Sequence, residues 1–332
     1  MDSFHSLLRR KFSFSVRKQW VLATLIATEG HAYRKPGAAM LIGQDGEAAG
    51  HLSPGCIETD LIEQAKRVAA SGCSGIVTYD AREPDDLSFG EAVGCGGLLR
   101  ILLEPVDSPL EQALGAVYRA LNEGMQAKLV RMMPSVDSVA EYRVRCGDGW
   151  HERFVRYPQM RSNQTSTISL SYTPNPRVLL FGAGDDALPV AELASRAGFS
   201  VLVADRRESL CTAARFPEAA ARVTGGVGEM LEAISVRRDD RAILMTHQMS
   251  QDRSILEHLV HSPLRYIGLL GSAKRTAALV EGLFRPGDSR LRSPVGIVPG
   301  TDGAERTAIS IAAELLEDIS RANKAASAAS GL

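Results

Sequence analysis

The sequence predicts an α/β protein: an N-terminal mixed α/β domain followed by a C-terminal Rossmann-like domain with a doubly wound parallel sheet. Three observations predict this class. The chain has 332 residues, which is long enough for two domains that each bury a core. From residue 177 onward, strand patterns alternate with helical patterns, as expected for a parallel sheet with helices on both faces. The apolar run at residues 178–181 leads directly into Gly182-Ala183-Gly184, which is typical of the start of a dinucleotide-binding βαβ unit.

The N-terminal domain is predicted over residues 1–157. Its first 20 residues are basic and contain several serines, which superficially resembles a transit peptide, but the spacing of Phe4, Leu7 and Leu8 favours an amphipathic helix. Further along, the spacing of apolar residues predicts helices over 57–70 and 109–122. Short apolar runs bounded by turn residues predict strands over 21–26, 39–42, 75–79, 98–103, 127–133 and 139–146.

A polar segment at residues 158–176 is predicted to be the linker between the domains, because it can bury little apolar surface. The C-terminal domain then covers residues 177–332. Its strands are predicted over 177–181, 200–204, 242–246 and 265–270. Its helices are predicted over 185–197, 208–214, 252–260, 273–283 and 303–320.

The bulk composition argues against several classes of function. The formal net charge of -1 gives no electrostatic reason to expect a nucleic-acid partner. No apolar run approaches the roughly 20 residues that a membrane-spanning helix needs, so no membrane association is expected. The five cysteines are odd in number and have no CxxC spacing, which disfavours a disulfide framework or a structural zinc site. A reducing cytoplasm is therefore the expected location.

Two cysteines lie in glycine-containing loops, at residues 53–58 (SPGCIE) and 94–97 (GCGG). The glycines of these loops are Gly55, Gly94, Gly96 and Gly97. Because glycine lets the backbone approach a bound group closely, Cys56 and Cys95 are the candidate binding thiols. Cys56 is predicted to begin a helix, and a helix N-terminus stabilises a thiolate. The alternative is that both are small buried hydrophobic residues beside tight turns. The other cysteines, Cys73, Cys146 and Cys211, are expected to be inert packing residues.

The carboxyl ends of the predicted C-terminal strands form a candidate nucleotide edge, because ligands of an open parallel sheet bind there. The residues expected to contact a bound nucleotide are Gly182, Gly184, Asp205, His247, Gly271 and Ser272. The first two glycines precede a helix N-terminus that can accept a pyrophosphate, and the aspartate is placed to accept a ribose hydroxyl. Asp185 and Asp186 oppose this prediction because they would repel a pyrophosphate. Alternatively, the glycines only pack helix on strand, and the histidine bonds a nearby loop.

Taken together, several segments resemble the xanthine dehydrogenase accessory factor family, also called XdhC/CoxI-like. The resemblance runs from about residue 21 to 104 and again from 177 to 317. The matching segments are 28–37 (TEGHAYRKPG), 53–58 (SPGCIE), 94–97 (GCGG), 182–184 (GAG), 204–207 (ADRR), 266–272 (YIGLLGS) and 293–296 (SPVG). The chain departs from the family at Pro54, where a glycine is usual, and at Asp185, where a histidine is usual.

Members of this family look like cytoplasmic chaperones, so the resemblance implies an accessory protein rather than a catalyst. It implies binding of the molybdenum cofactor, molybdopterin in its mononucleotide or dinucleotide form, and protection during exchange of an oxo for a sulfido ligand. It further implies insertion of the cofactor into a xanthine-oxidase-family molybdoenzyme. The implied partners are that enzyme and a cysteine desulfurase, and members of the family tend to form homodimers.

On this hypothesis, Arg34 and Lys35 supply cations for the cofactor phosphate, while Cys56 and Cys95 supply soft thiolates that can contact the molybdenum. The competing hypothesis is an NAD(P)-dependent oxidoreductase that uses the C-terminal domain, with His247 as acid or base. A third hypothesis is a scaffold that bridges other proteins and binds no cofactor.

Overall fold

The computed structural model describes residues 3–13, 19–80, 82, 97–133, 141–147, 149–155, 166–285, 287–298 and 300–329. The chain divides into two units, Met1–Asn175 and Pro176–Leu332. Among the described residues, no helix combines the length and the apolar character needed to cross a membrane.

The described part of the N-terminal unit contains three helices and two antiparallel sheets. The helices are α1 (Phe4–Ser13), α2 (Glu58–Ser71) and α3 (Ser108–Asn122). The strands are β1 (Trp20–Gly30), β2 (Ala39–Gly43), β3 (Ala48–Ala49), β4 (Gly75–Asp80), β5 (Gly97–Pro105), β6 (Ala127–Met133), β7 (Glu141–Cys146), β8 (Gly149–Val155) and β9 (Ser166–Tyr172). Their orders are β3-β2-β1-β5-β4 and β8-β7-β6-β9. The predicted helices and strands of this half are all present, with ends shifted by a few residues.

The predicted linker is wrong over Ser166–Tyr172, which forms β9 and pairs with β6. Ile168, Leu170 and Tyr172 pack on the core, while the polar side chains between them that are described are exposed. The polar residues occupy the outer face of a strand with one buried face. Their serine- and threonine-rich composition therefore reflects alternation rather than a lack of structure.

The five-stranded sheet is buried on both faces. Leu22, Leu41 and Leu102 pack on one face with α1, α3 and the second sheet. Their neighbours in sequence point to the opposite face and pack with Leu61 and Ala65 of α2. Because each fully buried leucine contributes about 1.5–3 kcal/mol, these two apolar layers hold the ends of the strands, and the loops that leave them, in fixed positions.

The C-terminal unit is built on one parallel sheet. Its strands are β10 (Arg177–Phe181), β11 (Ser200–Ala204), β12 (Ala221–Val223), β13 (Arg241–Leu244), β14 (Tyr266–Leu269) and β15 (Leu291–Arg292). Its helices are α4 (Ala187–Arg196), α5 (Val227–Ile234), α6 (Met249–Leu259), α7 (Ala273–Val280) and α8 (Ala304–Ala329). The order β12-β11-β10-β13-β14-β15 is the 3-2-1-4-5-6 order of a Rossmann fold. The predicted fold class is confirmed.

Helices cover both faces of this sheet, as predicted. Val178 and Leu180 of β10 pack with α4 and α8, whereas Leu179 and Phe181 pack with α5, α6 and α7. The helix predicted over residues 208–214 is wrong, because that segment forms separate turns. One turn closes through the Cys211 N–H and the carbonyl of Arg207, and Pro217 soon follows and disfavours a continuing helix. Strands β12 and β15 and helix α5 lie outside the predicted elements.

Candidate functional site

Segments that carry predicted site residues leave the five-stranded sheet at the same end. At the end of β1, Gly30 pairs with Gly97, the first residue of β5. Since β3 runs antiparallel to β2, the loop after β3 leaves beside Ala39, where β2 begins. A side chain at Gly50 would meet the carbonyl oxygen of Ala39 at 2.6 Å, so this exit requires glycine. The loops at residues 31–38 and 50–57 and the start of β5 therefore share one end of the sheet.

The loop that carries Cys56 is organised around the buried hydroxyl of Ser53. This hydroxyl donates to Oε2 of Glu58 at 2.5 Å and accepts from the Gly55 N–H at 3.1 Å. It also accepts from the Cys56 thiol, with Sγ 3.4 Å from Oγ. The Ser53 N–H donates to Oε1 of Glu58 at 2.8 Å. Ser53 therefore contacts both the thiol of Cys56 and the carboxylate of Glu58.

Glu58 is the first residue of α2, so the helix begins two residues after Cys56. The contact between Glu58 and Ser53 was not predicted from the sequence, although the two residues are only five positions apart. Burial opposes ionisation of Glu58, but hydrogen bonds from Ser53 outweigh it and lower the pKa of the carboxyl. Asp60 in the same turn accepts the hydroxyl of Tyr79 at 2.6 Å, which anchors the start of α2 to β4.

Gly55, which precedes Cys56, lies in an uncrowded turn. Its φ of 127° is a conformation that favours glycine, and a Cβ at this position would meet no atom within 4 Å. Cys56 itself is half-buried and packs at the edge of the core that also contacts Ala38. The Cys56 side chain is therefore partly packed on the core, and the turn before it has room at Gly55.

The two predicted cations lie in the loop after β1. Lys35 is exposed, and Arg34 is half-buried. Their loop is closed by the Gly37 N–H, which donates to the carbonyl of Leu25 at 2.8 Å. Whether the two side chains contact a phosphate stays a prediction.

Gly97 has a structural reason to be glycine, since a Cβ there would lie 2.2 Å from the carbonyl oxygen of His31. Cys95, Gly94 and Gly96 lie outside the described residues, so their place in the site also stays a prediction.

The remaining cysteines differ from one another in exposure. Cys211 is buried, and burial raises the pKa of its thiol, which points at the carbonyl of Val203. Cys146 is buried in β7. The expectation that all three are packing residues is wrong for Cys73, which is exposed just after the Gly72 cap of α2.

In the C-terminal unit, the glycine motif lies where β10 and β13 end side by side. Gly182 has a φ of 116°, and a Cβ there would lie 2.5 Å from the carbonyl oxygen of Met245. A Cβ at Gly184 would lie 2.8 Å from Oδ1 of Asp186. Gly182 is therefore needed for the close approach of two strand ends, whereas the contact at Gly184 is only with the end of the Asp186 side chain. Helices leave β10 and β13 towards opposite faces, so this is the crevice where open sheets bind ligands.

Asp205 is 1% exposed and already has several hydrogen-bond donors. Its carboxylate accepts from the Ala183 N–H at 2.7 Å and from the backbone and guanidinium of Arg207. Burial opposes its ionisation, but the bonds from Arg207 outweigh burial and lower its pKa. A ribose hydroxyl that donates to this carboxylate must therefore either replace the Arg207 guanidinium or bind beside it.

Asp185 and Asp186, which were expected to repel a phosphate, each contact a cationic or ionisable side chain. Asp185 pairs with Arg215 at 2.8 Å, and Asp186 contacts Nε2 of His247 at 2.6 Å. His247 adopts a φ of 60°, a conformation unusual for a residue with a side chain. Arg215 offsets one negative charge at the start of α4, which weakens the expected repulsion of a pyrophosphate. The sequence carried no signal for Arg215, which lies 30 positions from its partner.

Gly271 and Ser272 end β14 and begin α7. Ser272 is the N-cap of α7, and its hydroxyl accepts the Arg275 N–H at 3.3 Å. Arg275 packs its side chain beside Gly271 and donates to buried Asp252 at 2.6 Å. Asp252 also accepts the hydroxyl of Thr246 at the end of β13. This network fixes the β13 and β14 ends relative to each other, and the contact between Arg275 and Asp252 was not predicted from the sequence.

Metal and cavity geometry add two observations. Across the described ranges, no group of three or more histidine, cysteine, aspartate or glutamate side chains is placed to hold a metal ion. A cavity of about 420 Å³ lies between α7 and β15, and one of about 380 Å³ lies beside α4. Neither is lined by a predicted site residue, so the candidate sites remain the thiol loop and the β10–β13 crevice.

Two family models match separate parts of the chain. Residues 178–315 match the model of a family described as the XdhC Rossmann domain, which covers β10 to much of α8. Residues 15–80 match the XdhC and CoxI family, and this match contains the Cys56 loop.

The relatives are similar over long stretches. A Bacillus subtilis strain 168 protein, described as a probable subunit of xanthine dehydrogenase, is 34% identical over 330 residues, covering 96% of this chain and 98% of that protein. The molybdenum cofactor insertion chaperone PaoD of Escherichia coli K12 is 25% identical, covering 89% and 82%. A crystal structure from Bacillus halodurans, described as a xanthine dehydrogenase, is 35% identical with a TM-score of 0.79, covering 96% of each chain.

Proposed function

The chain belongs to the XdhC and CoxI family, and from this premise we propose that it carries the molybdenum cofactor and inserts it into a molybdoenzyme. The observation that carries the proposal is the Cys56 loop, where a half-buried thiol that follows the uncrowded turn at Gly55 shares one end of a sheet with the exposed Lys35. The similarity to PaoD, which is named as an insertion chaperone, supports the direction of this proposal. The protein acts as an accessory factor and not as a catalyst.

The donor set of the loop fits this cofactor. When bound, the cofactor supplies a molybdenum centre held by a pterin dithiolene, together with a phosphate. Cys56 offers a soft thiolate ligand, the turn at Gly55 has room for a Cβ, and Lys35 offers a cation for the phosphate. These residues bind and orient the cofactor, and the half-buried loop limits the access of water to the sulfur. Arg34 and Cys95 are proposed to complete the same site.

The C-terminal unit is proposed to bind the nucleotide of a dinucleotide form of the cofactor. Gly182, Gly184 and the start of α4 would receive a phosphate, and Asp205 would receive a ribose hydroxyl. His247, Gly271 and Ser272 line the neighbouring strand ends. The partnering of Asp185 by Arg215 supports this reading, since it offsets a charge that would repel phosphate.

The proposal extends to partners and setting. The molybdoenzyme served is of the xanthine-oxidase family, and a cysteine desulfurase delivers the sulfur for the sulfido ligand while this chain holds the cofactor. The protein works in the cytoplasm as a homodimer. The absence of CxxC spacing in the sequence, and the free thiol at Cys56, are consistent with a reducing compartment.

The test is the molybdenum and pterin content of protein purified without oxygen from cells that make the cofactor. We expect near-stoichiometric cofactor in the wild type, loss in Cys56→Ala and reduced content in Lys35→Ala. Cys73→Ala is the matched control, because it removes an exposed cysteine of the same unit outside the loop. Equal cofactor content in Cys56→Ala and Cys73→Ala would contradict the proposal.

One observation favours the alternative, an NAD(P)-dependent oxidoreductase. The pairing of His247 with Asp186 at the β10–β13 crevice places a basic ring where a nicotinamide ring can bind. Titration with NADH and NADPH, with binding monitored by fluorescence, distinguishes the two functions. Binding that is lost in Asp205→Ala and untouched in Cys56→Ala would support the oxidoreductase, whereas no binding in the wild type would exclude it.

A further inference from the structure

Helix α8 carries an exposed apolar stripe along one side. Ile309 is 60% exposed and Leu316 is 48% exposed. They lie seven positions apart on the same face of the helix, and the half-buried Ala312 and Ala313 lie between them. The opposite side of α8, which includes Leu315, packs on the core of the C-terminal unit. One face of α8 is therefore used by the fold, and the stripe is left over.

The loop after β15 extends this apolar surface. The Val298 N–H donates to the hydroxyl of Ser310 at 2.8 Å, and the Ile297 N–H donates to the carbonyl of Ser310 at 3.3 Å. Both apolar side chains are more than half exposed, and their loop lies beside the middle of the stripe. The stripe and these two side chains together are called the α8 patch. Single exposed apolar residues are ordinary, whereas a group of them at one place marks an interaction surface.

Charged side chains flank the α8 patch in a pattern that is complementary to itself. Arg306 and Glu317 are exposed and lie eleven positions apart, about three helical turns, so they are on the same side of the stripe. Across the described part of the chain, Arg306 makes no ion pair, and Glu317 accepts from Arg321 at 2.8 Å. The two oxygens of a carboxylate can accept from a second guanidinium as well. One end of the patch therefore offers a cation and the other end an anion.

We propose that the α8 patch is the surface through which two copies of this chain pair, with their α8 helices antiparallel about a two-fold axis beside Ala312 and Ala313. A two-fold interface must be complementary to itself, because the same surface supplies both sides. Ile309 of one copy lies opposite Leu316 of the other, since the two residues are equally far from the axis. The small alanines at the axis let the helices approach to the roughly 8–10 Å that is usual for packed helices.

The same axis brings the flanking groups together. It turns one side of each helix towards the same side of the other helix, so Arg306 of one copy lies opposite the turn that carries Glu317 of the other. This pairing of opposite charges occurs twice. Ser310 lies close to the axis, so the two loops that hold Ile297 and Val298 meet beside it. Parallel helices would instead place like charges together, and the charges therefore select the antiparallel arrangement.

The inference rests on the proposed function only in that it gives the proposed homodimer a surface. The pairing uses no residue of the Cys56 loop or of the β10–β13 crevice. Self-association and cofactor carriage can therefore be tested separately.

The experiment measures self-association of the full chain by analytical ultracentrifugation at about 1–100 μM protein, where we expect the wild type to form a dimer. Ile309→Glu and Leu316→Glu each place a charge in the apolar contact of both copies. Each should raise the dissociation constant at least about 30-fold. Met249→Glu is the matched control, because it places the same charge at an exposed apolar position of the same unit outside the patch. This control should leave the dissociation constant unchanged.

Exchange of the flanking charges tests the orientation of the helices. Arg306→Glu and Glu317→Arg each place like charges opposite one another twice, and each should weaken the dimer roughly 3–10-fold. The double variant Arg306→Glu/Glu317→Arg restores opposite charges and should recover most of the affinity. These substitutions change exposed side chains only, so they decide the question if an apolar variant does not fold.

A wild type that stays monomeric over this range would overturn the proposal together with the homodimer. A dimer that survives both Ile309→Glu and Leu316→Glu would overturn the α8 surface and leave the homodimer standing. A double charge variant no tighter than its single variants would overturn the antiparallel arrangement. None of these outcomes affects cofactor carriage, which the molybdenum and pterin content tests on its own.

Discussion

Replacing Arg131 tests the buried ion pair that joins the two sheets of the N-terminal unit. Nε of Arg131 in β6 donates to Oε2 of Glu104 in β5 at 2.8 Å, and both side chains are 0% exposed. The hydroxyl of Tyr142 donates to the other carboxylate oxygen at 3.1 Å. In Arg131→Met, Glu104 keeps only the tyrosine as a partner in an apolar core. Loss of one member of a buried pair costs about 3–5 kcal/mol.

Tryptophan fluorescence reports on this unit alone, because Trp20 and Trp150 both lie within Met1–Asn175. With a urea dependence of about 2 kcal/mol/M, a loss of about 4 kcal/mol lowers the unfolding midpoint by about 2 M. The matched control is Arg143→Met, which removes the more exposed pair with Glu141 and should cost less than about 1 kcal/mol. Burial raises the pKa of Glu104, so the deficit of Arg131→Met should shrink as the pH is lowered.

The double variant Arg131→Met/Glu104→Gln tests whether the unpaired buried charge of Glu104 causes the loss of stability. Its neutral amide still accepts the tyrosine hydroxyl, and no buried charge remains, so we expect at least half of the lost stability to return. A loss in Arg131→Met no larger than in Arg143→Met would refute the reasoning. So would a double variant less stable than the single one.

Three further predictions follow from burial and backbone geometry. Burial lowers the pKa of His5, so the stability that neutral His5 contributes is present above pH 6.5 and declines as the pH falls. Urea unfolding at pH 7.5 and at pH 5.5 should therefore show a smaller loss of stability in His5→Gln than in the wild type. Gly182→Ala should destabilise the C-terminal unit by more than about 2 kcal/mol in thermal unfolding followed by circular dichroism, whereas Gly228→Ala, in open space on α5, should be neutral or stabilising. In native protein, iodoacetamide should modify exposed Cys73 and leave buried Cys211 unmodified until urea is added, as read by peptide mass spectrometry.

Local periodicity explains which parts of the fold were predictable. The continuous apolar run at residues 178–181, and the strand and helix patterns that alternate after it, identified the parallel sheet because each pattern arises within one element. Helix α5 was missed because three glycines, at positions 225, 226 and 228, surround its start and hide its spacing. β9 was missed because its polar face was read as a linker.

The amino-acid sequence by itself determined the two-domain α/β architecture, the thiol at Cys56 and the glycines around it, because these depend on residue type and short-range spacing. Only the tertiary structure decided which charges meet. Arg215 reaches Asp185 across 30 positions, and His247 reaches Asp186 across 61. Such contacts require side-chain atoms within about 3 Å of each other. The packing of strands and helices sets that distance, and the periodicity of the sequence does not. The same holds within the Cys56 loop, where folding turns Glu58 back to accept hydrogen bonds from Ser53.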